Sequence, residues 1–446
     1  MKIIRIILFS VVLTSTLLSC GKEKKEDATV RFAGIVINEI AAHDDADEID
    51  TWIELYNNAE TAVSLEGLSL FISDRYFTNE NLATLSGELA PGGRLVLSTA
   101  DGGLRTGIAS DGAFTLSLGP SADVTIDSFE HTADMPSLGY FASWQRIPDG
   151  SGELRKLTYS SKGRANEIFD ISKTKPTAVW TWGAHMGDLL ANDAANLRKL
   201  KEKGYDHIVL NYAAFSTGPY RKQARSLIPL CDELGLTVHV WLQCFYNGGW
   251  ESPIDDEKKA YKEEVYERIR NDAISYIETW GVKGVHLDYV RFGGTASKHD
   301  LNNEVNSVGA VNRCCREIRE ICDGYDEGLV TSAALMPEVN STASYGQSPS
   351  LMAQYIHILM PMIYRYGSYN FSDTGFKDRS NYFADQAAKR GAVSWSGIQT
   401  YNAANTGMTA EELRRDIDLM AETRASGVVL FRYQLGDFPD VNDLWK

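Results

Sequence analysis

The sequence predicts two domains of different class, an all-β antiparallel sandwich followed by a (β/α)8 TIM barrel. Three observations carry this. Residues 32–166 hold short alternating apolar runs broken by Gly, Pro and Asp, with no amphipathic helix of any length. Over residues 167–177 the texture changes, with KTKP at the seam. In residues 178–446 helical patterns alternate with short apolar runs until eight strands are counted, over about the ~250 residues such a barrel needs.

The sandwich strands come first. IVINEI, TWIELYN, LSLFIS, GGRLVLS, AFTLSL and DVTIDSF each read as a short strand, separated by turn signals such as LAPGG and ADGG. In WIELYN, Trp52 and Leu55 are expected to pack inward while Glu54 faces water. Short strands so spaced argue for an antiparallel sandwich. The acidic run DDADEID, residues 44–50, is either a solvated loop or a calcium site, and its spacing does not match an EF-hand loop.

VWTWG opens the barrel. DAANLRKLKEKG leads into HIVLNY, ARSLIPLCDELG into LTVHVWLQ, and the long helix EKKAYKEEVYERIRNDAISYIETWG into VKGVHLDYVRF. EVNSVGAVNRCCREIREICDG precedes LVTSAALMPE, and IHILMPMIY, AVSWSGIQTY and GVVLFRY complete the set. Several helical patterns end on Gly, where a helix stops and the next strand begins. A doubly wound open sheet is the competing arrangement. No GxGxxG follows the first strand, which counts against it, and no cofactor is expected.

Lys and Arg number 44 against 60 Asp and Glu, a formal net charge of −16. A chain this acidic repels phosphate backbones, so nucleic acid is not expected as a partner. Neutral or cationic ligands stay open on this count.

At the N-terminus Lys2 and Arg5 precede an apolar run over residues 6–18, too short for the ~20 residues of a membrane span. Leu17, Leu18, Ser19 and Cys20 resemble a bacterial lipobox. The resemblance implies cleavage before Cys20, a diacylglycerol on its sulfur, and a lipid-anchored protein of the bacterial cell envelope. That places it on the outer membrane, facing periplasm or surface. An ordinary signal peptide with an incidental Cys is the alternative. Residues 21–31 then form a solvated tether. Cys231, Cys244, Cys314, Cys315 and Cys322 remain, an odd set without paired short spacings, which argues against a zinc site or a disulfide framework. Core packing is the simpler reading, with one disulfide still open in an oxidising compartment.

If the second domain is a barrel, function collects at the C-terminal ends of its strands. Those ends carry Trp182 and His185, Asn211 and Tyr212, then Trp241, Gln243 and Tyr246. Strand four ends with Asp288, Tyr289 and Arg291, and strand five with Glu338. Tyr364 and Arg365, Gln399 and Tyr401, and Arg432, Tyr433 and Gln434 close the circle. Aromatic faces stack on sugar C–H surfaces, while amides and guanidinium groups bond hydroxyls. Glycoside hydrolysis adds a need for two carboxyl groups flanking the bond. Asp288 and Glu338, on neighbouring strands, are the candidates, with Glu338 as general acid and Asp288 as nucleophile or base, or the reverse. Substrate contacts are expected from Trp182, Asn211, Tyr212, Trp241, Gln243, His286, Arg291, Tyr364, Gln399 and Tyr433.

Alternation in GVHLDYVRF sends His286, Asp288 and Val290 into the barrel and Val285, Leu287 and Tyr289 outward. Each candidate also has a structural reading. Asp288 could pair with Arg291, since buried charges are usually paired; Glu338 could sit in a solvated loop. His286 could be an interior histidine, and Trp182 and Trp241 barrel filling. His185, His239, His286 and Asp288 could form a metal set, but no tight HxH pair supports one and no metal is expected.

Two resemblances add to this. VINEI, WIELYN, LEGLSLF, LAPGGRLVLS and SWQRIPDG, in that order over roughly 130 residues, resemble the lamin tail domain, an immunoglobulin-like family without a shared catalytic site. GLTVHVWLQ, GVHLDYVRF, ILMPMIYRYG and GVVLFRY resemble glycosyl-hydrolase-like family ten and its bacterial relatives. The second resemblance implies a polysaccharide or glycoconjugate substrate and carries Asp288 and Glu338 over as catalytic residues. GVHLDYVR also aligns with the end of the DxxDxDxE motif of family eighteen chitinases. It departs at His286 and Val290, where that motif has Asp and the acid Glu, so substrate-assisted cleavage of that type is not expected. Two rival functions stay open, a non-catalytic glycan-binding lipoprotein and an adhesion module in the sandwich.

Overall fold

The computed structural model describes residues 30–43 and 49–445. Cys20, the apolar N-terminal run, most of the tether and residues 44–48 of the acidic run lie outside the described residues. Two compact units divide the chain, Met1–Glu167 and Ile168–Lys446.

In the first unit, Leu154–Leu157, Ser143–Arg146, Ile35–Ala41, Trp52–Asn57 and Arg94–Ser98 form, in that spatial order, a five-stranded antiparallel sheet. Glu80–Thr84, Ser69–Ser73, Phe114–Gly119 and Asp127–His131 form a four-stranded one. Ile37, Leu55, Leu70, Leu116 and Phe129 meet between them in one apolar core. Sheet-on-sheet packing of this kind is a sandwich.

Two expectations for this unit need correction. DVTIDSF is a strand only from Asp127, because residues 121–124 turn back onto Gly119. A Cβ there would lie 1.8 Å from the Val124 carbonyl oxygen, so only glycine admits the turn. Glu54 does not face water; it is fully buried. Leu55 faces the core with Ile53, but Trp52 shares the Glu54 face, and that face is roofed by a later segment, with Lys162 over the Trp52 ring. Glu54 accepts from Asn38 Nδ2 at 2.8 Å and from the Gly163 amide at 2.9 Å. Its register neighbour Glu39 accepts from the Ser143 hydroxyl at 2.6 Å and the Ser161 amide at 2.8 Å. Burial pushes both carboxyls up, Glu39 to about 7, with those hydrogen bonds working the other way.

The second unit is a closed parallel barrel. Its strands are Thr177–Thr181, His207–Asn211, Thr237–Gln243, Gly284–Asp288, Val330–Leu335, Ile358–Pro361, Val393–Gln399 and Gly427–Phe431, and the last pairs with the first. Helices Met186–Glu202, Gly218–Glu233, Glu263–Trp280, Ser307–Gly324, Asp373–Ala388 and Ala410–Ala421 lie between them in sequence. The third of these starts later than its pattern suggests. Ile254–Asp255 pairs with Ala260–Tyr261 as a small hairpin, with Lys259 at φ 51°, and the helix begins only at Glu263. It ends on Gly281 in the left-handed region at φ 60°, the expected stop.

The barrel interior carries polar rings as well as apolar ones. Trp180 Nε1 donates to His286 Nε2 at 3.1 Å, and His286 Nδ1 meets Ser332 Oγ at 2.9 Å. His207 Nδ1 and His239 Nε2 are 3.0 Å apart. Burial holds His207 and His286 down to about 3 and His239 well below the ordinary histidine value, so all three are neutral. Gly284 makes room for one of these rings, since a Cβ there would lie 1.8 Å from His239 Nδ1. Cys231, Cys244, Cys314, Cys315 and Cys322 are buried and unbridged. Among the described residues no helix is long and apolar enough to cross a membrane.

Candidate active site

The strand ends enclose a cavity of about 260 Å³ at the C-terminal mouth of the barrel. Trp180, Trp182, Trp241, Tyr289, Tyr364 and Phe431 give it aromatic walls, Asn211, Gln243 and Arg291 polar ones, and Ala334 and Met362 the remaining lining. Asp288 is the one carboxylate among these lining residues.

Asp288 is the last residue of its strand and only 8% exposed. Oδ2 accepts from Trp241 Nε1 at 2.8 Å, and Oδ1 accepts from the Tyr289 amide at 2.7 Å. Among the described residues it forms no ion pair, so the expected alternative of a salt bridge to Arg291 is not what holds it. Burial drives its carboxyl above the usual range, against the Tyr289 amide, the nearby Arg291 charge and the Trp241 indole, which favour the ionised form. A carboxyl so placed keeps its proton longer than a solvated one.

Tyr289 departs from the alternation. Its φ is +52°, the left-handed region, which breaks the strand and turns the ring into the cavity instead of outward. Tyr246 lies 4.8 Å from that ring and Trp250 5.6 Å. Arg291 sits over Trp250 at 4.7 Å and over Tyr345 at 5.4 Å. Gly293 permits this approach, since a Cβ there would meet the Trp250 indole at 2.8 Å.

Of the expected contact residues, Trp182, Asn211, Trp241, Gln243, Arg291 and Tyr364 line the cavity together with Asp288. Glu338, Tyr212, His286, Gln399 and Tyr433 do not. Glu338 Oε1 accepts from Tyr369 OH at 2.9 Å and Tyr345 OH at 3.4 Å, while Oε2 is buried without a hydrogen-bond partner. The Tyr345 ring that bonds it is the same ring that packs against Arg291. His286 lies under the cavity floor, bonded to Trp180. Gln399 is spent on backbone, accepting from the Tyr366 amide and donating to the Tyr401 carbonyl. Tyr433 donates to Asp188 at 2.5 Å. Since His239 meets His207, His286 meets Trp180 and Asp288 meets Trp241, the metal set does not converge. Among the described residues no group of three or more His, Cys, Asp or Glu side chains is placed to hold a metal.

Trp180, Met362 and Phe431 were missed for one reason. Strands one, six and eight stop earlier than their apolar runs, at Thr181, Pro361 and Phe431. The period-two rule run backward from Trp182, Tyr364 and Tyr433 would have found all three.

No protein-family model matches the sequence, and no curated protein matches it. Among solved structures, the chain is similar to the glycoside hydrolase domain of PgaB (BpsB) from Bordetella bronchiseptica. Identity is 10%, with 58% of this chain and 94% of that one covered at a TM-score of 0.42. The spore cortex-lytic enzyme SleL of Bacillus cereus is 11% identical over 65% of this chain and 76% of its own, with a TM-score of 0.41. The chitinase RmChi1 of Rhizomucor miehei is 11% identical over 59% and 96%, with a TM-score of 0.40.

Proposed function

We propose that the chain is a glycoside hydrolase whose reaction takes place in the cavity around Asp288. The observation that carries this reading is a buried carboxyl, without an ion-pair partner, held above the usual range at the C-terminal mouth of a closed barrel. Burial that disfavours the charged form is the direction a general acid needs in order to donate to a leaving glycosidic oxygen. The aromatic walls suit the C–H faces of a sugar, and Asn211 and Gln243 offer both donors and acceptors to its hydroxyls.

Asp288 is therefore assigned as general acid, the reverse of the first assignment made from sequence. Glu338 is the second carboxylate of the scheme, as nucleophile or base. Its buried, unpartnered Oε2 supports that role. To act, it must move from behind Tyr345 and Tyr369, because it does not line the cavity. This last observation favours a second reading, a barrel that binds glycan without cleaving it. In either case the lipobox-like segment makes Cys20 a lipid anchor in the cell envelope, and the lamin-tail-like unit is a spacer or binding module.

The test is an array of bacterial, host and plant glycans incubated with wild type, Asp288→Asn and Glu338→Gln. Loss of a general acid typically costs 10²–10⁴ in rate. New reducing ends from wild type, nearly absent with either variant, support the hydrolase. Binding by wild type without any new reducing end supports the binding protein.

A further inference from the structure

Among the described residues, two guanidinium groups at the barrel mouth, Arg291 and Arg432, are not paired with a carboxylate. In a chain with 60 acidic and 44 basic residues, ion pairs are easy to form. Arg365, at the end of strand six, shows the common outcome. It bonds Asp416 at 2.8 Å and also pairs with Asp373. Arg291 and Arg432 do otherwise. Among the described residues Arg291 makes no ion pair, and its hydrogen bond is a 3.3 Å contact from Nη1 to the Phe292 carbonyl. Arg432 makes none either, and its Nη1 meets only His185 Nε2 at 3.2 Å and the Tyr433 carbonyl at 3.4 Å.

Each of the two is instead laid on an exposed indole. Arg291 lies over Trp250 at 4.7 Å, and Arg432 over Trp182 at 3.8 Å. Those tryptophans are 47% and 39% exposed, large values for so apolar a side chain. Stacking on an aromatic face fixes the plane of a guanidinium while leaving its edge free to bond an anion. The two arginines follow strands four and eight, four places apart around a closed ring of eight, and their indoles follow strands three and one. Arg291 and Trp182 line the cavity that holds Asp288.

We infer that the site takes an acidic glycan, with a sugar carboxylate seated on Arg291, beside Asp288, and a second on Arg432, across the barrel mouth. This rests on the glycoside hydrolase reading for the position of the scissile bond, though not for the binding itself. A guanidinium edge matches the planar, two-oxygen geometry of a carboxylate. The net charge of the chain alone left only neutral or cationic ligands open. The mouth reverses that locally, because Asp288 is the one carboxylate lining the cavity and burial works against its charge, while two guanidinium groups stand at the rim. Arg291 also accounts for discrimination. A neutral sugar filling the cavity would leave the guanidinium without an anion, whereas a uronate would supply one.

The experiment measures binding to polygalacturonate, hyaluronan and alginate, to the same polymers after reduction of their carboxyl groups to alcohols, and to dextran sulfate, with cleavage scored in parallel. Wild type is expected to bind at least one acidic polymer at least tenfold more tightly than its reduced form. Arg291→Gln and Arg432→Gln are each expected to lose that preference, the ratio of affinities for native and reduced polymer falling towards one. If either variant fails to fold by circular dichroism, the comparison of native with reduced polymer on wild type still decides. Equal binding of the two forms, or binding of none of the acidic polymers, overturns the inference. Preference for dextran sulfate over every uronate overturns the carboxylate assignment. Binding with the expected preference but no cleavage defeats the hydrolase reading alone. Cleavage of neutral and acidic forms alike defeats this inference and spares that reading.

Discussion

The Trp241 indole N–H donates to Asp288 Oδ2 at 2.8 Å from the adjacent strand, where the register sets Gln243 beside Asp288. That hydrogen bond favours the ionised carboxylate and so works against burial, which raises the carboxyl. Trp241→Phe keeps the ring and deletes the donor. The carboxyl then rises further, and an enzyme that needs it protonated stays active to higher pH. The alkaline limb of kcat/KM against pH is expected to move upward. A limb that moves down or stays in place removes Asp288 from the general-acid role.

The paired carboxylates of the sandwich give a stability prediction that needs no substrate. Glu39 has an ordinary value of 4.5 and is raised to about 7 in the fold. Below 4.5 the group is protonated in both folded and unfolded chains, and nothing is lost. Between 4.5 and about 7 the unfolded chain releases its proton first, so stability falls as pH rises, by up to about 3 kcal/mol. Glu39→Gln is expected to flatten that part of the curve. Chemical denaturation of the two proteins from pH 4 to 8, with the wild-type minus variant difference plotted, measures it. A difference that does not change across that window sinks the assignment.

Much of the barrel was legible because its signals are local. HIVLNY, LTVHVWLQ and GVVLFRY are continuous apolar runs after helical patterns, and they are strands two, three and eight. ENLAT, by contrast, was not read as a strand. It is polar and sits at the edge of its sheet, so only one neighbour pairs with it. Glu54 was misread because its roof comes from residue 163, more than a hundred positions away. Asp288 was legible as a carboxylate in an apolar strand. Tyr289 in the cavity was not, since a left-handed φ at a tyrosine leaves no trace in a period-two pattern. Glu338 was legible as a strand-end acid, while the two phenols that hold it come from residues 345 and 369.

Gly284 ties the polar interior to the floor of the site. It opens the strand that ends at Asp288, and its missing side chain is the space that the His239 ring fills. A Cβ 1.8 Å from Nδ1 cannot be absorbed by a small shift, and the ring is fully buried against His207. Gly284→Ala is expected to cost at least the 1–3 kcal/mol typical of overpacking. The readout is the denaturation midpoint of the barrel unit. A midpoint unchanged within error would show that His239 has another place to go.

Arg365 and Arg291 should separate structural from ligand-directed arginines. Asp416 is fully buried, and Arg365 is its partner at 2.8 Å, with Arg415 at 3.8 Å. Arg365→Ala leaves that carboxylate buried with only the more distant cation, and loss of one partner from a buried pair costs about 3–5 kcal/mol. Arg291→Ala leaves no carboxylate orphaned, because none is paired with it. Its cost in stability is confined to lost stacking, on Trp250 at 4.7 Å and on the more distant Tyr345 and Tyr289 rings, about 0.5–1 kcal/mol for a contact at an exposed site. Urea denaturation of the two variants is expected to show a large drop for Arg365→Ala and a small one for Arg291→Ala. Since the two residues share a side-chain type and both end barrel strands, the contrast reads partner chemistry alone. Equal losses would mean that Arg291 is part of the scaffold, and the reason for leaving it without a carboxylate would have to be sought in packing.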